Sequence, residues 1–296
     1  MPQYYKGVAL VFLSAFGFGL LPIFAIFAYR EGANVATLLF LRFTCAALLL
    51  FAYLRLKGER LSLTSRQCGL LFLLGGVLYS AQAFCYFASV ELIPASLTAL
   101  LLYTYPIFVA LLAGVVDKER LSRAELLAIT VSLTGLVFVL GAAPAAVNIT
   151  GVLLALAAAV VYSVYLVIGT RVVKGLSPLA TSACVAAWAA LSLLVTGGAS
   201  GSLNFNLTAT AILAVAGIVA FPTIMAMLAL FRGLDLIGPT RASILSMVEP
   251  LITFTFAALL FGDRFTPPQL AGGAAVLTGA ALVIRARGQG KTAEKK

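Results

Sequence analysis

Residues 99–141 read ALLLYTYPIFVALLAGVVDKERLSRAELLAITVSLTGLVFVLG, and residues 242–284 read ASILSMVEPLITFTFAALLFGDRFTPPQLAGGAAVLTGAALVI. Shifted by 144 positions, they share a proline, an acid–arginine pair and a Thr-Gly pair in one register. Apolar similarity alone does not explain such matches. We therefore predict two repeats, at 1–143 and 144–287, and a basic tail at 288–296. The shift aligns Gly7 with Gly151, Phe87 with Phe231, Pro106 with Pro250, Glu119-Arg120 with Asp263-Arg264, and Thr134-Gly135 with Thr278-Gly279.

The composition is that of a membrane protein. Of the 296 residues, 62% are apolar and 10% are charged, whereas an ordinary soluble domain has roughly 25% charged residues. The mean hydropathy is +1.09. Such a chain has too few charged residues to form the surface of a soluble domain. It is long enough for about ten membrane spans of ~20 residues each.

The apolar runs break at charge clusters and at Gly, Pro and Asn. Because each backbone polar group in hydrocarbon must be satisfied within its own segment, we expect every span to be a helix. The fold class is therefore all-α integral membrane. We place spans 1 to 10 at residues 5–28, 34–55, 67–88, 95–115, 124–142, 149–170, 178–196, 208–230, 239–261 and 267–285.

The distribution of basic residues predicts the orientation. With the N-terminus in the cytoplasm, 17 of the 20 Lys and Arg fall in inside segments, two fall in outside loops, and Arg42 lies within span 2. This bias follows the positive-inside rule and predicts cytoplasmic termini in a bacterial inner membrane. Five spans per repeat place the second repeat in inverted orientation, which is typical of alternating-access transporters. The alternative is a duplicated scaffold without transport.

Other chemistry is poorly represented. The chain has no histidine, and its four cysteines form no C-x-x-C pair, so the sequence predicts no metal and no cofactor. No Walker motif is present, which excludes ATP as the direct drive. Basic loops explain the net charge of +10 without a nucleic-acid partner. We expect a transporter and not an enzyme.

The two stretches quoted above, together with LLFLRFTCAALLL around Arg42, resemble the EamA domain of the drug/metabolite transporter superfamily. The resemblance covers nearly the whole chain as two copies and is greatest to the YddG-type exporters of aromatic amino acids. It implies ten helices, cytoplasmic termini and a central cavity built mainly by spans 3, 4, 8 and 9, with spans 1 and 6. The family often has Gly-Glu before the fifth or tenth helix, where this chain has Lys118-Glu119 and Gly262-Asp263.

Span 3 carries a candidate binding face. Tyr79, Gln82 and Tyr86 are spaced by three and four residues, so they share one side of a helix. Two phenols and an amide suit a ligand with an aromatic part and polar groups. Tyr162 of span 6 lies near the repeat axis, because Phe18 precedes it by 144. The alternative is that these tyrosines hydrogen-bond to neighbouring helices or anchor at an interface.

Spans 4 and 9 contain matched prolines, Pro106 and Pro250, and Pro222 interrupts span 8. Each proline frees a carbonyl one turn earlier and bends its helix, so all three are candidate hinges, although they equally fit a role in packing. We also expect the substrate to contact side chains before these two matched prolines, where methionine and serine suit a permissive pocket. The candidates are Tyr103, Ser243, Ser246 and Met247.

Glu249 and Arg42 are the acid and the base predicted near mid-membrane. An ionisable residue at this depth is a functional hypothesis by default. Three interpretations stay open. The two residues pair as a structural bridge, Glu249 binds the amino group of a substrate, or Glu249 carries a proton for antiport.

We therefore predict a secondary transporter that exports aromatic or hydrophobic amino acids, or related metabolites, by alternating access. The alternatives are another drug or metabolite exporter of the same superfamily and a membrane assembly or sensor protein without transport. A phosphate-bearing substrate is disfavoured, because it would require several cationic side chains in the cavity, whereas Arg42 is the base predicted near mid-membrane. We expect a monomer with two partners, a small-molecule substrate and the lipid bilayer.

Overall fold

Ten helical rods make up the described part of the chain in this computed structural model, which describes residues 3–59, 61, 63–93, 95–116, 122–140, 148–173, 176–261 and 266–293. The predicted all-α membrane architecture is confirmed. In the first half the rods are α1 (Gln3–Gly19 and Leu21–Arg30), α2 (Val35–Leu56), α3 (Ser65–Phe72, Leu73–Tyr79 and Ser80–Leu92), α4 (Ala95–Leu102 and Tyr105–Val116) and α5 (Arg123–Leu140). In the second half they are α6 (Ile149–Val173), α7 (Pro178–Ala199), α8 (Ala209–Ile218, Val219–Met225 and Ala226–Ile237), α9 (Pro239–Ser246 and Glu249–Phe261) and α10 (Pro267–Ala293).

The lengths of these rods suit a bilayer. In the described residues, eight helices are long and apolar enough to cross a membrane, and Tyr105–Val116 of α4 is a shorter apolar helix. The boundary between 143 and 144, the Lys118-Glu119-Arg120 and Gly262-Asp263-Arg264 segments and residues 294–296 lie outside the described residues. The orientation in the membrane therefore stays a prediction.

Matched capping residues begin matched helices. Thr64 Oγ1 accepts a hydrogen bond from Gln67 N at 3.3 Å before α3, and Thr208 Oγ1 accepts one from Ala211 N at 3.2 Å before α8. A capping oxygen satisfies one of the free N–H groups of the first turn. Because Thr64 and Thr208 are 144 residues apart, the repeat in sequence is also a repeat in helix starts.

The two halves exchange contacts in a matched way through glycines. Gly7 of α1 packs so closely on Ile237 at the end of α8 that a Cβ would lie 2.6 Å from its Cγ2. In the other half, Gly151 of α6 packs on Ile93 at the end of α3, where a Cβ would lie 2.8 Å from the same atom type. Each half thus places its first helix against the third helix of the other half, as a pseudo-two-fold relation requires.

Several helices are interrupted at the centre of the bundle. α4 is interrupted after Leu102 and α9 after Ser246, four residues before Pro106 and Pro250. These are the carbonyls that the prolines leave without an i+4 donor. Leu73–Tyr79 of α3 and Val219–Met225 of α8 are π-helical, and Pro222 lies within the second. The interruption of α1 at Leu20 and the π segment in α3 are not predicted from the sequence.

Candidate substrate cavity

A cavity of about 380 Å³ lies between the two halves. It falls in the range of ~300–1,000 Å³ that is usual for small-molecule sites. The helices predicted to build it all contribute, and α2 contributes as well. The lining residues are Phe18, Leu21, Pro22, Ala25, Ile26 and Tyr29 of α1; Leu38, Leu39 and Arg42 of α2; Tyr79, Gln82, Ala83 and Tyr86 of α3; Leu102, Tyr103 and Tyr105 of α4; and Tyr162, Tyr165, Met227, Leu230 and Glu249 of the second half.

Five tyrosine rings form a continuous row along this wall. The ring of Tyr79 lies 6.1 Å from that of Tyr165, which stacks on Tyr162 at 5.9 Å. Tyr162 meets the edge of Tyr105 at 4.8 Å, and Tyr105 lies 6.2 Å from Tyr103. Offset and edge-to-face contacts at these distances are favourable for aromatic rings. This tyrosine row, Tyr79–Tyr165–Tyr162–Tyr105–Tyr103, begins on α3 of the first half, passes through two rings on α6 of the second half and returns to α4 of the first half.

Neighbouring groups hold the row in place. The Tyr105 hydroxyl donates to the backbone carbonyl of Ser243 at 3.2 Å, and the Tyr105 side chain is almost fully buried. At the other end, the edge of Phe43 packs on Tyr79 with ring centres 4.8 Å apart. A ring fixed in this way loses little further freedom when a ligand packs on it.

Glu249 is the first residue of the second segment of α9 and faces the end of the tyrosine row. The interruption of α9 at residues 247–248 places its carboxyl at a helix N-terminus, where free N–H groups favour negative charge. The Tyr103 hydroxyl donates to Glu249 Oε2 over a long 3.4 Å. The carboxyl is therefore held loosely enough to take a further partner from the cavity.

Arg42 is held tightly on α2. Its side chain is 1% exposed, and its Nε donates to Thr223 Oγ1 of α8 at 2.9 Å. Thr223 in turn donates to the carbonyl of Ile218 at 2.7 Å. One guanidinium nitrogen of Arg42, Nη2, is buried without a hydrogen-bond partner.

Arg42 and Glu249 line the same cavity but do not form an ion pair with each other. Within the described residues, the ion pairs are Arg232–Asp235 at 2.6 Å and Arg241–Glu125 at 3.1 Å. A structural bridge between Arg42 and Glu249, one of the three interpretations of the sequence, is therefore absent from this structure. The interpretations in which Glu249 serves the substrate or a proton remain.

The structure brings most of the predicted site residues together. Tyr79, Gln82 and Tyr86 share one side of α3 and line the cavity with the other candidates on α4 and α6. The hinge candidates are next in the chain to residues of the site, because Pro106 follows Tyr105, Pro250 follows Glu249, and Pro222 precedes Thr223, which accepts the hydrogen bond from Arg42. The predicted residues in the wall are Tyr79, Gln82, Tyr86, Tyr103, Tyr162, Arg42 and Glu249.

Ser243, Ser246 and Met247 do not lie in the cavity wall. All three are almost fully buried, and Ser243 Oγ donates to the carbonyl of Thr240 at 2.7 Å within its own helix. The first segment of α9 packs this face against α1 and α4 instead of turning it to the cavity. Burial among the helices places these three residues away from the cavity wall, and their contact with a substrate stays a prediction.

Some wall residues are not among those predicted from the sequence. Leu38 and Leu39 of α2 lie one turn before Arg42, on the same face of the helix. Their spacing from Arg42 was the signal that would have found them. Tyr29, at the end of α1, carried no such signal because the interruption at Leu20 was not expected.

Comparison with known proteins agrees with this arrangement. The model of the EamA-like transporter family matches residues 5–141 and again residues 149–285. The uncharacterized transporter YcbK of Bacillus subtilis is 28% identical over 209 residues, which is 65% of this chain and 66% of that protein. An uncharacterized transporter of Archaeoglobus fulgidus is 28% identical over 200 residues, 68% of this chain and 71% of its own length. The matched regions thus span about two thirds of these curated relatives.

A crystal structure of another protein has the same fold. It superposes with a TM-score of 0.78 at 22% identity and covers 95% of this chain and 96% of its own. At this level of identity the likeness concerns the arrangement of the helices alone.

Proposed function

The chain belongs to the EamA-like transporter family of the drug/metabolite transporter superfamily, and from this premise we propose that it exports amino acids with aromatic or hydrophobic side chains, or related small metabolites. The observation that carries the proposal is the wall of the cavity between the halves. It combines a row of tyrosine rings with one guanidinium and one carboxyl. An amino acid of this class offers the matching groups, a flat or apolar side chain and two opposite charges.

The tyrosine row supports the side-chain part of the proposal. An aromatic ring gains favourable stacking or edge contacts on rigid tyrosines, and the leucines of α2 and α8 provide apolar surface beside them. The cavity volume of about 380 Å³ holds a ligand of amino-acid size. A large lipid or a polymer would not fit.

The interrupted helices support alternating access as the mechanism. α1, α4, α8 and α9 all border the cavity, and each is interrupted near its middle. Interrupted helices at the interface of inverted repeats are where transporters bind substrate and change conformation. We propose that the segments rock about Pro106, Pro222 and Pro250, and that a solute or ion gradient supplies the energy.

The wider setting follows from the same proposal. The protein is a multi-pass membrane protein, and we propose that it functions as a monomer in a bacterial inner membrane with both termini in the cytoplasm. Its two EamA units correspond to residues 1–143 and 144–287, which place the cavity between them. The basic tail at 288–296 then lies near the anionic inner leaflet.

Flux from proteoliposomes tests the substrate class. Purified protein is reconstituted into liposomes loaded with a panel of labelled amino acids, with and without a pH gradient, and protein-free liposomes serve as the control. We expect efflux of phenylalanine, tyrosine, tryptophan and leucine well above that of aspartate and lysine. Background rates for every amino acid would overturn the proposal.

A further inference from the structure

We propose that Arg42 binds the carboxylate of the transported substrate through its free guanidinium nitrogen, and that Thr223 positions it for this task. The inference rests on the proposed function, because it assigns one group of the amino acid to one side chain of the cavity. It adds an anion-binding residue and a positioning residue to a site so far described by its aromatic wall.

The first observation is a guanidinium nitrogen of Arg42 that donates no hydrogen bond. Arg42 lines the cavity and is 1% exposed, and its Nη2 nitrogen has no hydrogen-bond partner. A buried cation without partners for its donors is strongly disfavoured, so such a group is normally paired or completed by a ligand. The carboxyl in the same cavity, Glu249, does not pair with it. The carboxylate of a substrate would accept the hydrogen bond that this nitrogen can donate.

The second observation concerns the contacts that fix the guanidinium, which lies over the ring of Phe43 at 4.7 Å from its centre. Nε donates to Thr223 Oγ1 at 2.9 Å, which fixes the plane of the group relative to α8. A guanidinium presents its donors in a rigid planar fork that matches a carboxylate, in contrast to the point charge of a lysine. With Nε occupied, the Nη2 nitrogen is left for an oxygen of a ligand.

The direction of the Thr223 hydrogen bonds explains why that residue is suited to the role. Pro222 has no N–H and leaves the Ile218 carbonyl without its i+4 donor. The Thr223 hydroxyl donates to this carbonyl at 2.7 Å. A hydroxyl has one hydrogen and two lone pairs, so the oxygen that faces Arg42 can only accept. The π segment around Pro222 thereby presents an acceptor to Arg42.

The two ionisable side chains of the wall are of opposite type, as a zwitterionic ligand requires. Glu249, beside Tyr103, offers a negative partner for an ammonium group, and Arg42 offers a positive one for a carboxylate. The tyrosine row connects the two helices that carry Tyr79 and Tyr103. An amine without a carboxylate would fill only one of these positions.

The test compares an amino acid with its carboxamide, which keeps the side chain and the amine but removes the negative charge. Transport of L-tryptophan and L-tryptophanamide is measured in proteoliposomes for the wild type and for T223V, T223S, R42K and R42Q. We expect the wild type to prefer the acid in apparent KM. In T223V and R42K this preference falls by about 10- to 100-fold, the ratio for one charge-assisted hydrogen bond, and R42Q abolishes it.

T223S is the matched control, since it keeps the hydroxyl, and it should retain the preference of the wild type. Melting of each purified variant in detergent identifies any that fails to fold, and T223V and R42K each test the proposal separately from R42Q. Wild-type flux with an unchanged preference in T223V, R42K and R42Q overturns the role of Arg42 and leaves the proposed function intact. A wild type that moves no amino acid overturns the proposed function, and this inference with it.

Discussion

Arg42 and Glu249 line one apolar cavity without forming an ion pair with each other. Arg42 donates a hydrogen bond to Thr223, and Glu249 accepts only a long one from Tyr103. If the two residues served structure alone, a direct pair would be the less costly arrangement in a bilayer. We propose that this separation leaves both side chains available to a ligand during transport.

Replacing Glu249 by Gln tests its role. If the carboxyl binds the substrate ammonium, Glu249→Gln raises the apparent KM for the amino acid by about tenfold, as expected for one charge-assisted hydrogen bond. If the carboxyl also carries a proton, the flux loses its dependence on an imposed pH gradient. Both quantities come from the same proteoliposome assay, with initial rates measured at several pH values.

The control for this substitution is Asp235→Asn, which removes a carboxylate at an exposed ion pair far along α8. It should leave both KM and the response to pH unchanged. A Glu249→Gln protein with the KM of the wild type would argue against ammonium binding, and an unchanged pH profile would argue against proton transport.

At the scale of the elements, equivalent interruptions have different chemical causes. The π segment of α8 contains Pro222, whereas that of α3 contains Gly75 and Gly76. A Cβ at Gly75 would collide with the backbone of Val185 on α7, so the glycine permits close packing there. The freed carbonyls are satisfied by hydroxyls five residues on, since Ser80 donates to Gly75 as Thr223 does to Ile218. The geometry is repeated although the residues are not.

Pro250→Ala tests the hinge in α9. The substitution restores an N–H that can bond to the Ser246 carbonyl and extend the first segment into the second. We expect turnover to fall by about fivefold, because one added hydrogen bond of ~1 kcal/mol stabilises the straight helix against rocking. The melting temperature should stay level or rise.

Pro178→Ala is the matched control, because Pro178 lies at the first position of α7, where a proline interrupts no hydrogen bond. Turnover of this variant should equal that of the wild type. Full turnover in Pro250→Ala as well would show that the interruption in α9 is not a hinge.

At the scale of the whole molecule, the halves depend on each other. Gly7 of α1 packs on the end of α8, and Gly151 of α6 packs on the end of α3. α5 and α10 also pack together, with Gly135 against the Gly272 carbonyl and Gly279 against Ser132. The cavity exists only where the two halves meet, so its wall requires both repeats.

The predicted orientation is testable by labelling. In a variant whose native cysteines are replaced by serine, single cysteines are placed at Asn206, between α7 and α8, and at Lys57, after α2. A membrane-impermeant maleimide should label Asn206→Cys in intact cells and Lys57→Cys only after permeabilisation, because basic segments stay inside. The reverse pattern would invert the topology proposed here.

The sequence by itself determined the helices, the repeat and most of the interruptions. In hydrocarbon each segment must satisfy its own backbone, so a long apolar stretch predicts a helix, and capping residues such as Thr64 and Thr208 mark where helices begin. Proline lacks an N–H wherever it occurs, so the ends of α4 and α9 segments at Leu102 and Ser246 follow from Pro106 and Pro250. These are local effects, and local sequence suffices to predict them.

Only the tertiary structure decided which side chains face the cavity. Ser243 and Met247 have suitable chemistry, yet the packing of α9 on α1 and α4 buries them. Leu38 lies in the wall because α2 packs against the other half. Arg42 donates a hydrogen bond to Thr223, which is 181 residues away in the chain. Contacts between distant helices depend on the packing of all ten at once, and no local pattern contains that information.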